Sequence, residues 1–151
     1  MSDVGLTSKR AQTGDGERAI LARLAGGCIS GTALASAARS ATTLSSNIDA
    51  RGARAIIVYL NITAASGTGG LTLRLFGVDP VSSTVATSAS VSTAATTSGT
   101  RIYHFGPGVG AASGATLAWG GAGVMLGSLF AVQVLHGDAS SYTYSVTYEL
   151  I

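Results

Sequence analysis

Strict alternation near the C-terminus is the feature that most constrains how this chain folds. Tyr142, Tyr144, Val146, Tyr148 and Leu150 take every second position, and Thr, Ser or Glu stand between them. Successive side chains of a β-strand point to opposite faces, so this pattern predicts a strand with a row of tyrosines on one face. Such a row suits a half-buried sheet surface, and it suits equally a contact with another subunit.

Similar alternation, or β-branched and small residues, predicts five further strands upstream. They cover residues 55–62, 71–75, 84–91, 100–105 and 129–136. Turn residues at 65–70 and 137–141 predict two β-hairpins, formed by the first two and the last two strands, and Asp79-Pro80 ends a strand. Strands at short intervals without a convincing long helix predict an all-β fold, an antiparallel β-sandwich of the jelly-roll-like kind.

The length of the chain suits a single domain. It has 151 residues, and compact domains most often run to roughly 100–150 residues. Residues 1–17 lack apolar periodicity, so we expect a flexible N-terminal arm followed by one domain over residues 18–151. Residues 18–24 are compatible with a short helix or a strand, which ends at Gly26-Gly27 in either case. The N-terminus also lacks the apolar segment of a secretory signal, so synthesis and retention in a cytoplasm are expected.

Charge is scarce along the chain. Charged residues make up 11% of the sequence, against a typical ~25%, whereas hydrophobic residues make up 46%. The hydrophobic fraction argues against charge-rich disorder, so burial of uncharged surface between subunits becomes the leading explanation. The basic residues are scattered and the net charge is only +2, so no nucleic-acid partner is expected.

The longest uncharged stretch covers residues 102–137. It is long enough to span a membrane, but Pro107 and a series of glycines interrupt it, so we expect a long Gly/Ala-rich loop and no membrane association. Trp119 is the one large anchor of this loop. A loop of such length inside a compact domain usually has a binding role.

Catalytic chemistry finds little support in the sequence. His136, Asp138 and Ser140 are the residue types of a catalytic triad, but they lie within one tight turn, where Asp138 is expected to bind its own backbone. Two distant histidines and scattered carboxylates predict no metal site, and the Gly-rich loop lacks the lysine of a phosphate-binding loop. Cys28 is expected to be a small buried apolar side chain. We therefore expect neither an enzyme nor a cofactor, metal or small-molecule substrate.

Two stretches carry a resemblance. Residues 57–69 read IVYLNITAASGTG, and LTLRL at 71–75 and GVDP at 77–80 follow them. FAVQVLHGDA at residues 130–139 and YTYSV at 142–146 form the second stretch. Together they resemble a pattern recurrent in small virion proteins of tailed bacteriophages, and they cover about half of the chain. That pattern reads Asp-Pro-Ala-Ser-Gly at its turn, where this chain has Asp79-Pro80-Val81-Ser82-Ser83.

The resemblance implies a virion structural protein, a capsid decoration or cement protein that stabilises the head shell by contacts between subunits. Its partners would be the major capsid protein and copies of itself, as a homotrimer, in a virion assembled in the host cytoplasm. The residues expected to contact partners are Lys9, Arg10, Arg18, Arg23, Trp119, Tyr142, Tyr144 and Tyr148. The alternative is a minor tail or fibre module that binds a host-surface glycan or protein through exposed aromatics, Tyr103 among them.

Overall fold

A computed structural model describes residues 28–91, 94–106, 117–118 and 127–151 of the chain. All regular structure in these residues is β-structure, and none of them is helical. The strands are β1 (Ile29–Arg39), β2 (Thr43–Leu44), β3 (Ile48–Asp49), β4 (Ile56–Ala65), β5 (Leu71–Val78), β6 (Val85–Val91), β7 (Gly99–Phe105), β8 (Leu117–Ala118), β9 (Leu129–His136) and β10 (Tyr142–Leu150). The prediction of an all-β fold is confirmed for this part of the chain.

Five strands form the first sheet, sheet A, in the order β1-β10-β4-β7-β8. Neighbouring strands are antiparallel except β7 and β8, which form a short parallel pair. The register of β10 places Tyr144 beside Ile62 and Val146 beside Leu60, so apolar residues of adjacent strands line up on one face. β1 forms an edge of the described sheet, and its register with β10 shifts at irregularities on either side of Leu34.

The second sheet, sheet B, has the order β2-β9-β5-β6, and β3 also pairs with β9. All of these pairs are antiparallel. β5 occupies one side of β9 along its whole length, from Leu129 to His136. β2 and β3 therefore lie along the other side of β9, as two parts of one interrupted edge.

The two sheets bury a single hydrophobic core between them, which is consistent with a β-sandwich. Every second residue along most of β4, β5 and β10 is buried in this core, as the alternating sequence predicts. The central members are Ile56, Val58, Leu60, Ile62, Tyr103, Phe105, Tyr142, Tyr144 and Val146 from sheet A and Leu71, Leu73, Leu75, Phe130, Val132 and Val134 from sheet B.

The predicted strand pairing is wrong at both expected hairpins. β4 lies in sheet A and β5 in sheet B, and β9 and β10 are divided between the sheets in the same way. The turns at residues 65–70 and 137–141, which we call the crossover turns, therefore carry the chain from one sheet to the other. Alternation specifies which face of a strand is buried, and that face is the same whether the next strand pairs with it or packs across the core. The turn after Asp79-Pro80 does join paired strands, β5 and β6.

All six predicted strands are present, as β4 to β7, β9 and β10, but the N-terminal part of the described chain differs from expectation. The sequence does not predict β1, because its residues are mostly Ala, Ser, Gly and Thr without a clear period. Cys28 is exposed, so the prediction of a buried thiol is wrong. It immediately precedes β1, which among the described strands has a neighbour on one side only. The predicted arm at residues 1–17 and most of the Gly/Ala-rich loop lie outside the described residues.

Candidate functional site

The residues expected to contact partners are divided between the described and undescribed parts of the chain. The four basic residues of the N-terminal region and the anchor of the long loop lie outside the described residues. These are Lys9, Arg10, Arg18, Arg23 and Trp119. Their expected roles therefore stay predictions, and the structure bears only on the tyrosines of β10.

Tyr142 and Tyr144 are fully buried between the two sheets, so the prediction that their side chains contact a partner is wrong. β10 is an interior strand, and its tyrosine row points into the core and not outward. Tyr148 is half-buried at the margin of the core, and its ring packs over the backbone of Gly31 in β1. Tyr103 is buried as well, which removes a further aromatic from the surface.

Asp138 organises the corner where the two crossover turns meet. Its Oδ2 accepts a hydrogen bond from the Gly69 N–H at 2.6 Å, and its Oδ1 accepts one from the Ser140 N–H at 2.9 Å. The Tyr142 hydroxyl accepts a hydrogen bond from the Gly70 N–H at 2.9 Å and donates to the Asp138 carboxylate at 3.2 Å. These bonds, the one from Gly69 foremost, keep the pKa of Asp138 below its usual value because they favour the charged form. The expectation that Asp138 binds its own turn backbone is confirmed.

His136 lies beside this corner, at the end of β9. Its Nε2 is 3.3 Å from the Tyr144 hydroxyl, and its ring stands edge-on to that of Tyr142, with 5.4 Å between centroids. The Nδ1 atom is buried and has no hydrogen-bond partner among the described residues. Burial lowers the pKa of His136, although the charge of Asp138 acts in the opposite direction. Burial therefore favours the neutral form of the imidazole.

The corner does not have the connections of a catalytic triad. A triad requires a base that is hydrogen-bonded to the nucleophile on one side and to an acid on the other. His136 instead contacts a tyrosine hydroxyl, and the Asp138 carboxylate binds backbone N–H groups and Tyr142. What these contacts can do is fix the two crossover turns against each other.

The described residues contain neither a cluster of metal-binding side chains nor a membrane-spanning helix. Within them, no three His, Cys, Asp or Glu side chains come together in a group that could hold a metal ion. The same residues contain no helix whose length and apolar character would let it cross a membrane.

The outer face of sheet A is largely uncharged. Ile57 and Tyr59 of β4 lie in register with His104 and Ile102 of β7, and all four side chains are half-buried. Glu149 of β10 is the charged residue of this face, and its Oε2 accepts a hydrogen bond from the Tyr59 hydroxyl at 3.1 Å. That bond raises the pKa of Tyr59. The sequence pattern places these residues on the less buried side of their strands but does not single them out.

The outer face of sheet B centres on Arg74 of β5. Arg74 lies in register with Gln133 of β9, which in turn lies beside Leu44 of β2. Phe76 and Leu135, on the outward rows of the same two strands, are half-buried, and Leu44 is 44% exposed. Around Arg74, this face thus combines apolar side chains with a guanidinium.

The turn between β5 and β6 is held by its own side chains. The Asp79 carboxylate accepts hydrogen bonds from the Val81 N–H at 2.9 Å and from the Ser82 hydroxyl at 2.6 Å. Val81 is 93% exposed at the tip. Ser83 has a φ of 58°, a left-handed conformation that favours glycine, and this is the position where the phage pattern has glycine.

Comparison with known proteins found no relative. No protein-family model matches the chain, and no curated protein and no solved structure matches it. The grounds for a function are therefore the residues and contacts described above.

Proposed function

We propose that this chain is a structural protein of a bacteriophage virion, a capsid decoration or cement protein that stabilises the head shell by contacts between subunits. The observation that carries the proposal is the scarcity of charge on the outward rows of β4, β5, β9 and β10. Arg74 and Glu149 are the charged residues there, and Glu149 is bonded to Tyr59. The buried centre of a protein interface is depleted in charged residues, so such faces suit burial against neighbouring subunits.

The stretches that resemble phage virion proteins support the same proposal. They form β4, β5, β9 and β10, which are interior strands of the two sheets, and the crossover turns that meet at Asp138. The resemblance therefore involves residues that hold the two sheets together, as a shared jelly-roll-like sandwich would require. The left-handed backbone of Ser83, at the glycine position of the pattern, agrees with this interpretation.

The proposed partners are the major capsid protein and further copies of this chain, arranged as a homotrimer. The proposed location is the virion, after assembly in the host cytoplasm. Catalysis, cofactors, nucleic acid and small-molecule substrates have no part in this function.

A minor tail or fibre module that binds a host glycan or protein is the second candidate. That hypothesis requires aromatic side chains at the surface. Tyr103, Tyr142 and Tyr144 are buried in the core, so three of the aromatics proposed for the binding face cannot serve it. The head-shell function has the stronger support.

Binding to isolated phage components tests the proposed function. The purified chain would be mixed with heads from particles of its own phage that lack it, and separately with tails from the same preparation. We expect saturable co-sedimentation with heads and an increase in the temperature at which the heads disrupt. Binding to tails or to a glycan array without binding to heads would contradict the proposal.

A further inference from the structure

The guanidinium of Arg74 has a buried N–H group without an acceptor among the described residues. It lies near the middle of the outer face of sheet B and is half-buried. Within the described part of the chain, its buried Nε atom has no hydrogen-bond partner, and no ion pair joins Arg74 to a carboxylate. Buried donors in native proteins are nearly always satisfied, so this one calls for a physical explanation.

The described carboxylates of the chain are occupied elsewhere. Asp49 forms a bidentate pair with Arg51, and Asp79 binds the turn that it begins. Asp138 binds the crossover turns, and Glu149 accepts the Tyr59 hydroxyl. None of these pairs leads to Arg74, so an acceptor for its guanidinium would have to come from outside this part of the chain.

The surroundings of Arg74 indicate what kind of acceptor would fit. Leu44, Phe76 and Leu135 supply apolar surface around it, and Gln133 adds a neutral amide. A planar guanidinium matches a carboxylate through two parallel N–H···O bonds, and such a pair is strongest where water is excluded. Charge complementarity therefore favours a carboxylate that is itself framed by apolar groups.

We propose that the outer face of sheet B docks an Asp or Glu side chain presented within an apolar patch of the neighbouring shell subunit, with Arg74 as its ion-pair partner. The identity of that neighbour rests on the proposed function. The carboxylate satisfies the guanidinium, and the apolar side chains around Arg74 are buried when the two surfaces meet. Arg74 is then a contact residue whose partner is absent from the described part of the chain.

The stability of the isolated chain gives the first test, and it needs no partner. Arg74→Met removes a partly desolvated cation that has no ion-pair partner among the described residues, so the urea midpoint should stay the same or increase. Arg51→Met is the matched control, because Arg51 has its own carboxylate in Asp49. A clear decrease in the midpoint of Arg74→Met, larger than that of Arg51→Met, would show that Arg74 serves its own domain and would overturn the proposal.

Affinity for heads gives the second test. Arg74→Gln should weaken binding by about 30-fold or more, as expected when one partner of a desolvated ion pair is removed. Arg74→Lys keeps the positive charge but not the two parallel N–H donors of a guanidinium, so it should lose less affinity than Arg74→Gln. The control variant Arg51→Gln should bind heads as tightly as the unmodified chain. Unchanged affinity of Arg74→Gln would overturn this inference and leave the proposed function intact. Failure of the unmodified chain to bind heads would overturn the proposed function and, with it, this choice of partner.

Discussion

Ser83 has a backbone conformation that costs an L-residue roughly 1–2 kcal/mol. Glycine adopts that conformation without this cost, although its greater freedom in the unfolded chain offsets part of the gain. We predict that Ser83→Gly increases the free energy of unfolding by about 0.5–1 kcal/mol, measured by urea denaturation. The hydrogen bond from the Ser83 N–H to the Asp79 carbonyl, 2.8 Å long, can remain in the variant.

Ser82 supplies the control for this prediction. Its hydroxyl donates to the Asp79 carboxylate and lies 2.9 Å from the Thr84 hydroxyl. Ser82→Gly should therefore decrease stability. A decrease at both positions would show that the strain assigned to Ser83 is absent.

The neutral imidazole of His136 makes the stability of the domain depend on pH. Burial holds its pKa in the folded state below the ordinary value of 6.5, so the unfolded chain binds the proton more readily. Stability should therefore decrease as the pH falls from 7 through about 6.5 toward the lower pKa of the folded state. His136→Gln should remove this slope in urea midpoints measured between pH 7 and pH 5.

A control variant and a lower pH limit isolate the contribution of His136 to the pH dependence of stability. His104→Gln, on the outer face of sheet A, is the matched control for the loss of an imidazole. Measurements stop at pH 5 because Asp79 and Asp138, whose pKa values are lowered, lose their stabilising charge in more acidic solution. If His136→Gln keeps the slope of the unmodified chain, the buried imidazole is not its source.

Between elements, the crossover turns approach so closely that backbone fills the space of a side chain. A Cβ at Gly137 would overlap the carbonyl of Gly69, and a Cβ at Gly69 would lie 2.6 Å from the carbonyl carbon of Gly137. Gly137→Ala must push the turns apart, and we predict a loss of about 1–3 kcal/mol in the free energy of unfolding. Gly77 is the matched control, since a Cβ there meets no atom within 4 Å.

The direction of the stability change is also predicted for the control variant, Gly77→Ala. Gly77→Ala restricts the unfolded chain and should leave stability unchanged or raise it by up to about 1 kcal/mol. Both variants can be compared by thermal and urea denaturation. Equal stability of Gly137→Ala and the unmodified chain would mean that the turns are not in contact.

Sequence patterns predict individual elements of this fold better than their arrangement. The alternation of large apolar residues predicts β4 and β10 because each buries one face against a core. β1 is not predicted, because its small residues form a strand by pairing with β10. That pairing is not evident from the local sequence. The crossing of the chain between the two sheets is not predicted either. A Gly-rich turn can place the next strand beside the preceding one or in the opposite sheet.

The candidate site was less predictable for a related reason. In sequence, the tyrosine row of β10 is equally compatible with a core and with an interface. The structure shows that β10 is an interior strand of sheet A and that Tyr142 and Tyr144 are buried in the core. Arg74 stands out in sequence as a charged residue within the strand LTLRLFGV. That its Nε lacks an acceptor becomes evident only when all neighbouring strands are in place. Asp138, in contrast, behaves as its turn sequence predicts.

At the scale of the whole molecule, the uncharged loop provides a prediction about assembly. Trp119 is its large apolar anchor in sequence, and aromatic anchors often carry much of the energy of an interface. Trp119→Ala should weaken binding to heads more than it lowers the melting temperature of the isolated chain. Equal losses in both measurements would assign Trp119 to the core of its own domain.

The location and copy number of the chain in its native particle test the central claim most directly. Heads and tails would be separated, and the chain would be quantified by mass spectrometry against the major capsid protein and imaged by electron microscopy. A decoration protein should be found in the head fraction, in a fixed ratio to the major capsid protein and as trimers on the shell surface. Its presence in tails alone, or its absence from the particle, would contradict the proposed function.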